Sequence, residues 1–428
     1  MKEKHVLIIY PFNFVKHIHG IDTRYFELVT YLKSKGFIVD LYSLDNYSSE
    51  WDEKEIKESK IVDNLFLFDV KSESKVLSKK KTKRNLKEKL NYRFKNGVMS
   101  GLLTFTSGRL NQLATKFSNS LPQETTSDDR IAVLPDLACQ SMKNHLSSIT
   151  ASTKYDYVLV GYVYWANLIH DVNLKDAVKI IDVNDFISLQ YFYLHDGSIR
   201  LGNFLEEEIR RINMFDVALC ISDDERMFFS QFAPSPTFFY VPQFFPKREL
   251  PSLINCAFDI LFIGSDNPHN QKSIKWFFDC VFPILDKPYK ILLVGKITNH
   301  VDDYSNVTKI RFADDLDNVY KQVKISICPM LQGTGMKIKV VEALSYGKPI
   351  VCTIRGVDGF NQKKSNGCIV ADNPEEFAGA ISMLLNDDGF YNHHQQLATH
   401  FFEENFEQTV VNKTLEKVFT SVSEQYQK

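Results

Sequence analysis

The sequence lacks the long hydrophobic runs that cross membranes. Nowhere do about 18 consecutive apolar residues occur, so no transmembrane helix is expected. No signal peptide is visible either, because the first apolar run is short, β-branched and ended by Pro11. Excess charge of one sign is also missing, since a net charge of −2 excludes an overall basic, nucleic-acid-binding balance. We expect a cytoplasmic protein, with peripheral association with the cytosolic membrane face left open.

Cysteine is present without the patterns that give it a structural role. The seven cysteines form no CxxC pair, and their odd number does not suit a disulfide framework. Several lie inside apolar runs, which predicts buried free thiols in a reducing compartment, and we expect no zinc site. The seven are Cys139, Cys220, Cys256, Cys280, Cys328, Cys352 and Cys368.

The first half of the chain opens with the pattern of a doubly wound domain. HVLIIY at 5–10 predicts a buried parallel strand, followed by a loop that contains Gly20. Asp22 can cap a helix over about 23–35, Gly36 can end it, and 37–44 predicts the next strand. His17, His19 and Arg24 lie near this loop, where a functional role competes with ordinary solvated side chains.

Residues 71–95 differ from the rest of the chain in charge. Eleven Lys and Arg against two Glu give this segment a net charge of +9, and apolar residues are interspersed among them. A basic segment with apolar anchors can bind an anionic membrane surface, and a solvated loop is an equally good interpretation. Nucleic-acid binding is weaker, because the aromatic residues form no RNA-binding motif.

The middle of the chain predicts further strands and a linker. Residues 96–150 carry little pattern, whereas 155–166 and 178–185 predict strands, and Asp182 and Asp185 end the second of these. A long helix is predicted over 187–213, then strands at 215–222 and 237–241. The segment 242–253 has three prolines and no helical period, so we interpret it as an interdomain linker.

A second α/β half follows, organised around residues 324–351. Its strands are predicted at 258–263, 290–294, 310–312 and 367–370, a helix over about 271–285, and three closing helices over 374–386, 389–403 and 406–426. Within 324–351, a strand leads to the turn Gly333-Thr334-Gly335 and a helix from about Met336 to Tyr346. This arrangement aims free backbone N–H groups at one point, which favours phosphate.

Lys337 lies in the predicted first turn of that helix, where a cation opposes the helix dipole. Such a lysine does little for helix stability but suits a neighbouring anion. The alternative is a solvated lysine on an ordinary βαβ helix. Gly347 is well placed to end the helix.

The run GTGMKIKVVEALSYGKPIV, preceded by DILFIGS and DDLDNVYKQVKISICPM, resembles the donor-binding domain of GT-B glycosyltransferases of family 4. The first half agrees more weakly, through YVYWA, IIDVNDFISLQY and FDVALCIS. The resemblance implies an α/β fold with two Rossmann-like, doubly wound domains facing across a cleft. It assigns 1–245 to the acceptor, 257–403 to the donor, and 404–428 to a C-terminal helix that packs back on the first domain.

The resemblance also implies the activity. A sugar would pass from a nucleotide-sugar donor to a glycan or lipid-linked acceptor, in cell-surface polysaccharide or glycoconjugate synthesis. The reaction would retain configuration and need neither a metal nor a cofactor, because lysines and backbone N–H groups can stabilise a departing diphosphate. Two alternatives stay open on the same architecture: a nucleotide-sugar 2-epimerase and a non-catalytic nucleotide-sugar-binding subunit.

The resemblance gives roles to individual residues. Glu342 would bind the nucleotide ribose, because a carboxylate can accept from two vicinal hydroxyls. The donor-binding residues are Gly20, Gly264, Ser265, Gly333, Thr334, Gly335, Met336, Lys339 and Glu342. The catalytic residues are Lys337, Asp182 and Asp185, where the aspartates would orient the acceptor hydroxyl or merely cap their strand. The acceptor-side residues are His17, His19 and Arg24.

The sequence departs from the family pattern at four positions. Thr334 stands where many relatives carry a glutamate that contacts the donor sugar, and Asn184 stands where a histidine is common. Ser265 replaces an arginine of the diphosphate site, and Lys272 is only a loose match for its lysine. These departures leave the donor sugar open.

Overall fold

The protein is seen in a computed structural model that describes residues 3–16, 20–45, 51, 60–69, 133–174, 176–195, 197, 199–248 and 256–426. The basic segment 71–95, His17, His19 and the polar loop predicted at 120–130 lie outside the described residues. The chain forms two compact units. The first comprises Met1–Val183, Leu194–Ala218 and Phe232–Thr237, and the second comprises Asn184–Tyr193, Leu219–Gln231 and Phe238–Lys428.

A seven-stranded sheet occupies the first half of the chain, in the order β3-β2-β1-β4-β5-β6-β7. Its strands are β1 (His5–Ile9), β2 (Ile38–Asp45), β3 (Asn64–Asp69), β4 (Tyr157–Gly161), β5 (Val178–Val183), β6 (Val217–Cys220) and β7 (Thr237–Tyr240). The helices between them are α1 (Gly20–Ser34), α2 (Gln140–Ser152), α3 (Ile187–Leu194), α4 (Leu201–Ile212) and α5 (Asp223–Phe232). The order reverses beside β1, which pairs in parallel with both β2 and β4.

A six-stranded sheet occupies the second half, in the order β10-β9-β8-β11-β12-β13. Its strands are β8 (Phe258–Ile263), β9 (Ile291–Val294), β10 (Val307–Ile310), β11 (Val323–Cys328), β12 (Ile350–Cys352) and β13 (Cys368–Val370). The helices are α6 (Pro268–Trp276), α7 (Leu316–Lys321), α8 (Ile338–Ser345), α9 (Pro374–Asn386), α10 (Asp388–Asn405) and α11 (Gln408–Tyr426). These strands pair in parallel, and the order reverses beside β8.

The two reversals decide where ligands can bind. In an open parallel sheet, helices leave on opposite faces at the point where the strand order reverses, so a crevice opens beyond the carboxyl ends of those strands. In the second sheet this point lies between β8 and β11, and the chain leaves these strands at Gly264 and Pro329. The prediction of two doubly wound α/β halves is confirmed. The domain boundaries at 245, 257 and 403 stay predictions.

Several element bounds differ from the sequence prediction for local reasons. The helix predicted over 187–213 is two helices, α3 and α4, and Gly197 between them has a φ of 75° that a continuing helix cannot contain. The strand predicted over 155–166 ends at Gly161, because Tyr162 has a φ of 70° and the chain enters a 3-10 helix. Strand β3 and helix α2 were not predicted at all.

The cysteines match the prediction of free thiols, since all seven are free. Four of them are buried in the sheets or at their edges, whereas Cys280 is exposed. Across the described part of the chain, no helix combines the length and hydropathy needed to cross a membrane.

Candidate functional site

The glycine turn between β11 and α8 takes the shape that its sequence predicts. Gly333 has a φ of 111° and Gly335 a φ of 73°, which lie in a region that side chains disfavour. Helix α8 starts at Ile338 rather than at Met336, because Lys337 is its non-helical N-cap residue with φ −88° and ψ 95°. Gly347, with a φ of 60°, follows the end of the helix as predicted.

Lys337 is buried, which rules out the alternative of a solvated lysine on an ordinary βαβ helix. Its side chain is 8% exposed, and its ammonium donates to the carbonyl oxygens of Gly335 at 2.7 Å and Thr334 at 3.3 Å. Asp358 is 3.8 Å away, longer than a close ion pair. Burial lowers the pKa of Lys337, and the charge of Asp358 only partly opposes this. The lysine therefore fixes the backbone of the turn. It also places there a positive charge that Asp358 compensates only weakly.

Lys339 follows two residues later, as the second residue of α8. Its ammonium donates to Asn270 Oδ1 at 2.8 Å and sits 4.7 Å from the centroid of the Phe262 ring. Burial lowers the pKa of Lys339. Among the residues that the structure describes, no carboxylate forms an ion pair with it. The site thus holds a second cation that only dipoles and an aromatic ring compensate.

Asn270 connects the two sides of the site, and sequence reasoning missed it. It accepts from Lys339 and donates through Nδ2 to the carbonyl oxygen of Ser265 at 3.0 Å. Asn270 is 4% exposed and lies in α6, whose N-cap Asn267 accepts from the Asn270 backbone N–H at 2.7 Å. The polar stretch DNPHN after β8 was the available signal. Gly264 and Ser265 are therefore fixed relative to Lys339.

His269 faces the glycine turn from α6. A Cβ built on Gly333 would lie 3.6 Å from His269 Cδ2, so the imidazole packs against the open side of this glycine. Burial lowers the pKa of His269 to about 4, with further lowering by the charges of Lys337 and Lys272. The imidazole is therefore neutral at pH 7. Lys272 itself donates to Gln332 Oε1 at 3.1 Å.

The surroundings of Glu342 on α8 raise the pKa of its carboxyl. Burial raises the pKa of this carboxyl to about 7, against the lowering effect of the Tyr320 hydrogen bond and of Arg248. The Tyr320 hydroxyl donates to Glu342 Oε2 at 3.2 Å, and the Tyr320 ring stacks on Tyr346 with centroids 4.3 Å apart. Glu342 is thus a positioned acceptor whose ionisation a ligand can change.

Two carboxylates approach the glycine turn from segments of the second unit that lie early in the sequence. Asp185 Oδ1 and Glu225 Oε1 are each 3.6 Å from the position that a Gly335 Cβ would occupy. The structure therefore brings the predicted Asp185 to the turn and adds Glu225, which is 4% exposed and was not predicted. Its position at the start of α5, directly after β6, is the signal that could have found it.

Asp182 and Arg24 lie in the first unit and bind each other. Arg24 donates through Nε to Asp182 Oδ2 at 3.1 Å and through a terminal nitrogen to Oδ1 at 2.8 Å. The two side chains are 2% and 0% exposed. The structure thus joins a predicted acceptor-side residue to a predicted catalytic one in a bidentate ion pair. Gly20 begins α1, and Met336 is buried beside Gly359.

Metal ligands were not predicted. Within the described residues, no three His, Cys, Asp or Glu side chains are grouped so that they could hold a metal ion.

Residues 257–387 match the family model "Glycosyl transferases group 1". One curated relative, an uncharacterised 44.6 kDa protein in the cps region of Klebsiella pneumoniae, is 24% identical over 307 residues, or 65% of this chain and 76% of the relative.

Solved structures resemble the whole chain. TarM gives a TM-score of 0.65 at 12% identity, over 97% of this chain and 99% of that one. A mutant of S. aureus TarM in complex with fondaparinux, alpha-GlcNAc-glycerol and UDP gives 0.62 at 13% identity, over 97% and 100%. Anabaena HepE in complex with UDP and glucose gives 0.63 at 11% identity, over 98% and 100%. At these identities the likeness establishes the fold.

The class follows from the fold and the family match together: the protein is a glycosyltransferase with the GT-B fold. More particularly, residues 257–387 match the model of the group 1 glycosyltransferases, which confirms the resemblance seen in the sequence. The roles of individual residues stay predictions.

Proposed function

We propose that the protein transfers a sugar from a nucleotide-sugar donor to a glycan or lipid-linked acceptor. The observation that carries this proposal is the pair of buried lysines, Lys337 and Lys339, around the turn Gly333–Gly335. Each has its pKa lowered by burial, so each charge is held at a free-energy cost that an anion would relieve. A diphosphate supplies two negative charges at the point to which the turn and helix end already point.

Glu342 supports a nucleoside attached to that diphosphate. Its carboxylate is fixed by Tyr320 and lies one helical turn beyond Lys339. Two vicinal ribose hydroxyls can each donate to one carboxylate oxygen, which favours the ionised form of Glu342. Asp185 and Glu225 lie at the other end of the turn, against Gly335, where hydroxyls of the donor sugar can donate to them.

The chemistry that suits this site is departure of the nucleoside diphosphate with retention of configuration. Preorganised cations and N–H groups aimed at the leaving group stabilise the charge that develops on it, typically by several kcal/mol in rate terms. Lys337 and Lys339 supply that charge from the protein, so the proposed reaction uses neither a metal nor a cofactor. The residue proposed to orient the acceptor hydroxyl is Asp185.

The proposed acceptor is a glycan or lipid-linked saccharide in the synthesis of a cell-surface polysaccharide or glycoconjugate. Two similar proteins support this class: the Klebsiella relative lies in a cps region, and the TarM mutant complex contains alpha-GlcNAc-glycerol. His17, His19 and Arg24 are the proposed acceptor-side residues. Of these, Arg24 is committed to Asp182, so it would act by fixing the local backbone.

A membrane role is proposed for the basic segment 71–95, with the protein on the cytosolic membrane face. Its net charge of +9 can contribute roughly 1 kcal/mol of attraction for each Lys or Arg near an anionic surface. Flotation with vesicles that contain anionic lipid tests this. Neutralising 79–84 should release the protein, and unchanged flotation would rule the role out.

The activity is tested by incubating the protein with a panel of nucleotide sugars, with and without saccharide acceptors. Release of free nucleotide only when an acceptor is present supports transfer, whereas an epimerised donor would identify a 2-epimerase. Before that assay, the shift in melting temperature with each nucleotide sugar identifies the donor, because a ligand that binds only the folded state raises its stability. Glu342→Ala should remove the shift, and Glu376→Ala, an exposed acid on α9, should not.

A further inference from the structure

The imidazole of His269, which is uncharged at pH 7, lies against Gly333, and the charges of two lysines act on it. His269 contacts this glycine, Lys272 lies on the next turn of α6 with its ammonium on Gln332, and Lys337 lies behind the turn. The charges of both lysines lower the pKa of the imidazole: Lys272 lies on the same helix and Lys337 in the segment before α8. This inference rests on the proposed diphosphate site.

We propose that His269 is a ligand of the donor diphosphate and that it takes up one proton from solvent when the anion binds. The site would then gain a positive charge together with the donor. It would lose that charge again when the nucleoside diphosphate product leaves.

The geometry gives the reason for a proton-coupled ligand here. An imidazolium between two lysines is strongly disfavoured without an anion, and burial adds to the cost, so the resting imidazole is neutral. A diphosphate that touches the same turn reverses the sign of the local field. An opposite charge within about 4–6 Å then favours the charged imidazole, which donates a charge-assisted hydrogen bond to a phosphate oxygen.

His269 also lies near a position where the site lacks a cation. Ser265 stands where the resemblance places an arginine, and its oxygens are engaged by Asn267 and Asn270. His269 is four residues further on and turned toward Gly333. A histidine supplies a cation there only while the anion is present, whereas an arginine is always charged. Release of the product is thereby favoured by loss of a proton.

The test is isothermal titration of the full chain at pH 6.5 with inorganic pyrophosphate and with UDP, each in two buffers of different protonation enthalpy. The dependence of the heat on the buffer gives the number of protons taken up. His269→Asn should remove most of the uptake seen in the wild type and weaken pyrophosphate binding about tenfold, the loss of one charge-assisted hydrogen bond. Comparing two proteins with the same ligand cancels the ligand's own protonation.

Two further variants make the result decisive. His394→Asn removes a half-buried histidine of α10 whose pKa burial also lowers, and it should leave both uptake and affinity unchanged. His269→Gln does not titrate, and its amide N–H reaches about as far as imidazole Nε2, whereas the shorter Asn does not. It should therefore retain more affinity than His269→Asn yet show no uptake. Equal proton uptake in wild type and either His269 variant would overturn the role of His269. Failure of the wild type to bind both ligands would instead overturn the proposed function.

Discussion

The ammonium of Lys337 donates to the carbonyl oxygen of Gly335 at 2.7 Å, from a residue only two positions further along the chain. A second donation, to Thr334, closes the ammonium against the inner side of the turn. The lysine ammonium therefore fixes the backbone of the turn by binding two of its carbonyl oxygens. This gives Lys337 a positioning role besides any contact with the ligand.

Replacing Lys337 with Met should lower donor-dependent turnover by about 10²–10³, as removal of a preorganised charge-stabilising group does in other enzymes. Both the charge and the brace on the turn are lost. Turnover is measured as nucleotide release with acceptor. Lys275→Met, which removes an exposed lysine paired with Asp279, serves as the control and should keep full activity. Wild-type turnover in Lys337→Met would remove this residue from the site.

The binding of UDP should depend on the ionisation of Glu342. Because the pKa of this carboxyl is about 7, the protein at pH 6 holds it mostly protonated, and accepting from two ribose hydroxyls requires the carboxylate. The ratio of the UDP dissociation constants of Glu342→Gln and wild type should therefore rise about tenfold between pH 6 and pH 8. Titration calorimetry at both pH values measures this ratio. A ratio independent of pH would contradict ribose binding by Glu342.

The same carboxyl should give a pH-dependent contribution to folding stability. Its pKa in the folded protein, about 7, lies above its ordinary value of 4.5, so the folded state binds the extra proton. The contribution is fully present below about pH 4.5 and is lost as the pH rises through about 7. The melting temperature of the wild type, relative to that of Glu342→Gln, should therefore fall between pH 5 and pH 8. A constant difference would mean that burial does not raise the pKa of Glu342.

Gly295 should tolerate substitution less well than Gly333, although both have positive φ values of 104° and 111°. A Cβ at Gly295 would lie 2.2 Å from the carbonyl oxygen of Gly264, whereas one at Gly333 meets nothing closer than 3.6 Å. Backbone strain costs about 1–3 kcal/mol at each site, and the clash should cost Gly295→Ala roughly 2 kcal/mol more. Urea unfolding of the full chain measures the free energy of unfolding of both variants. Equal losses would contradict the close approach at Gly264.

Asp182→Asn should destabilise the protein by about 3–5 kcal/mol, because it removes the carboxylate charge that faces the buried Arg24. The double variant Arg24→Met with Asp182→Leu should recover much of that loss. Thermal unfolding follows stability, and UDP affinity should be unchanged in both, since Lys337, Lys339 and Glu342, which are proposed to bind UDP, lie in the second unit. Full stability of Asp182→Asn together with lost turnover would instead assign Asp182 to catalysis.

The sequence alone determined the fold class and the central stretch of the site. Alternation of apolar strands with helices, and glycines at strand ends, are local signals, so β11, the turn at Gly333–Gly335 and Gly347 were predicted in place. The start of α8 was wrong by two residues, because the N-cap conformation of Lys337 depends on the carbonyl oxygens that its own ammonium binds. Strand β3 and helix α2 carried too little periodicity to be found.

Tertiary structure decided which side chains share the site. His269, Asn270, Glu225 and Asp185 come from three separate stretches, and no local pattern in the sequence tells which of them meet at the glycine turn. It also decided which charges are available, since Asp182 is paired with Arg24 while Lys339 contacts Asn270, Phe262 and Met330, none of which carries a charge. Burial and pairing set these properties, and both arise only when distant segments pack together.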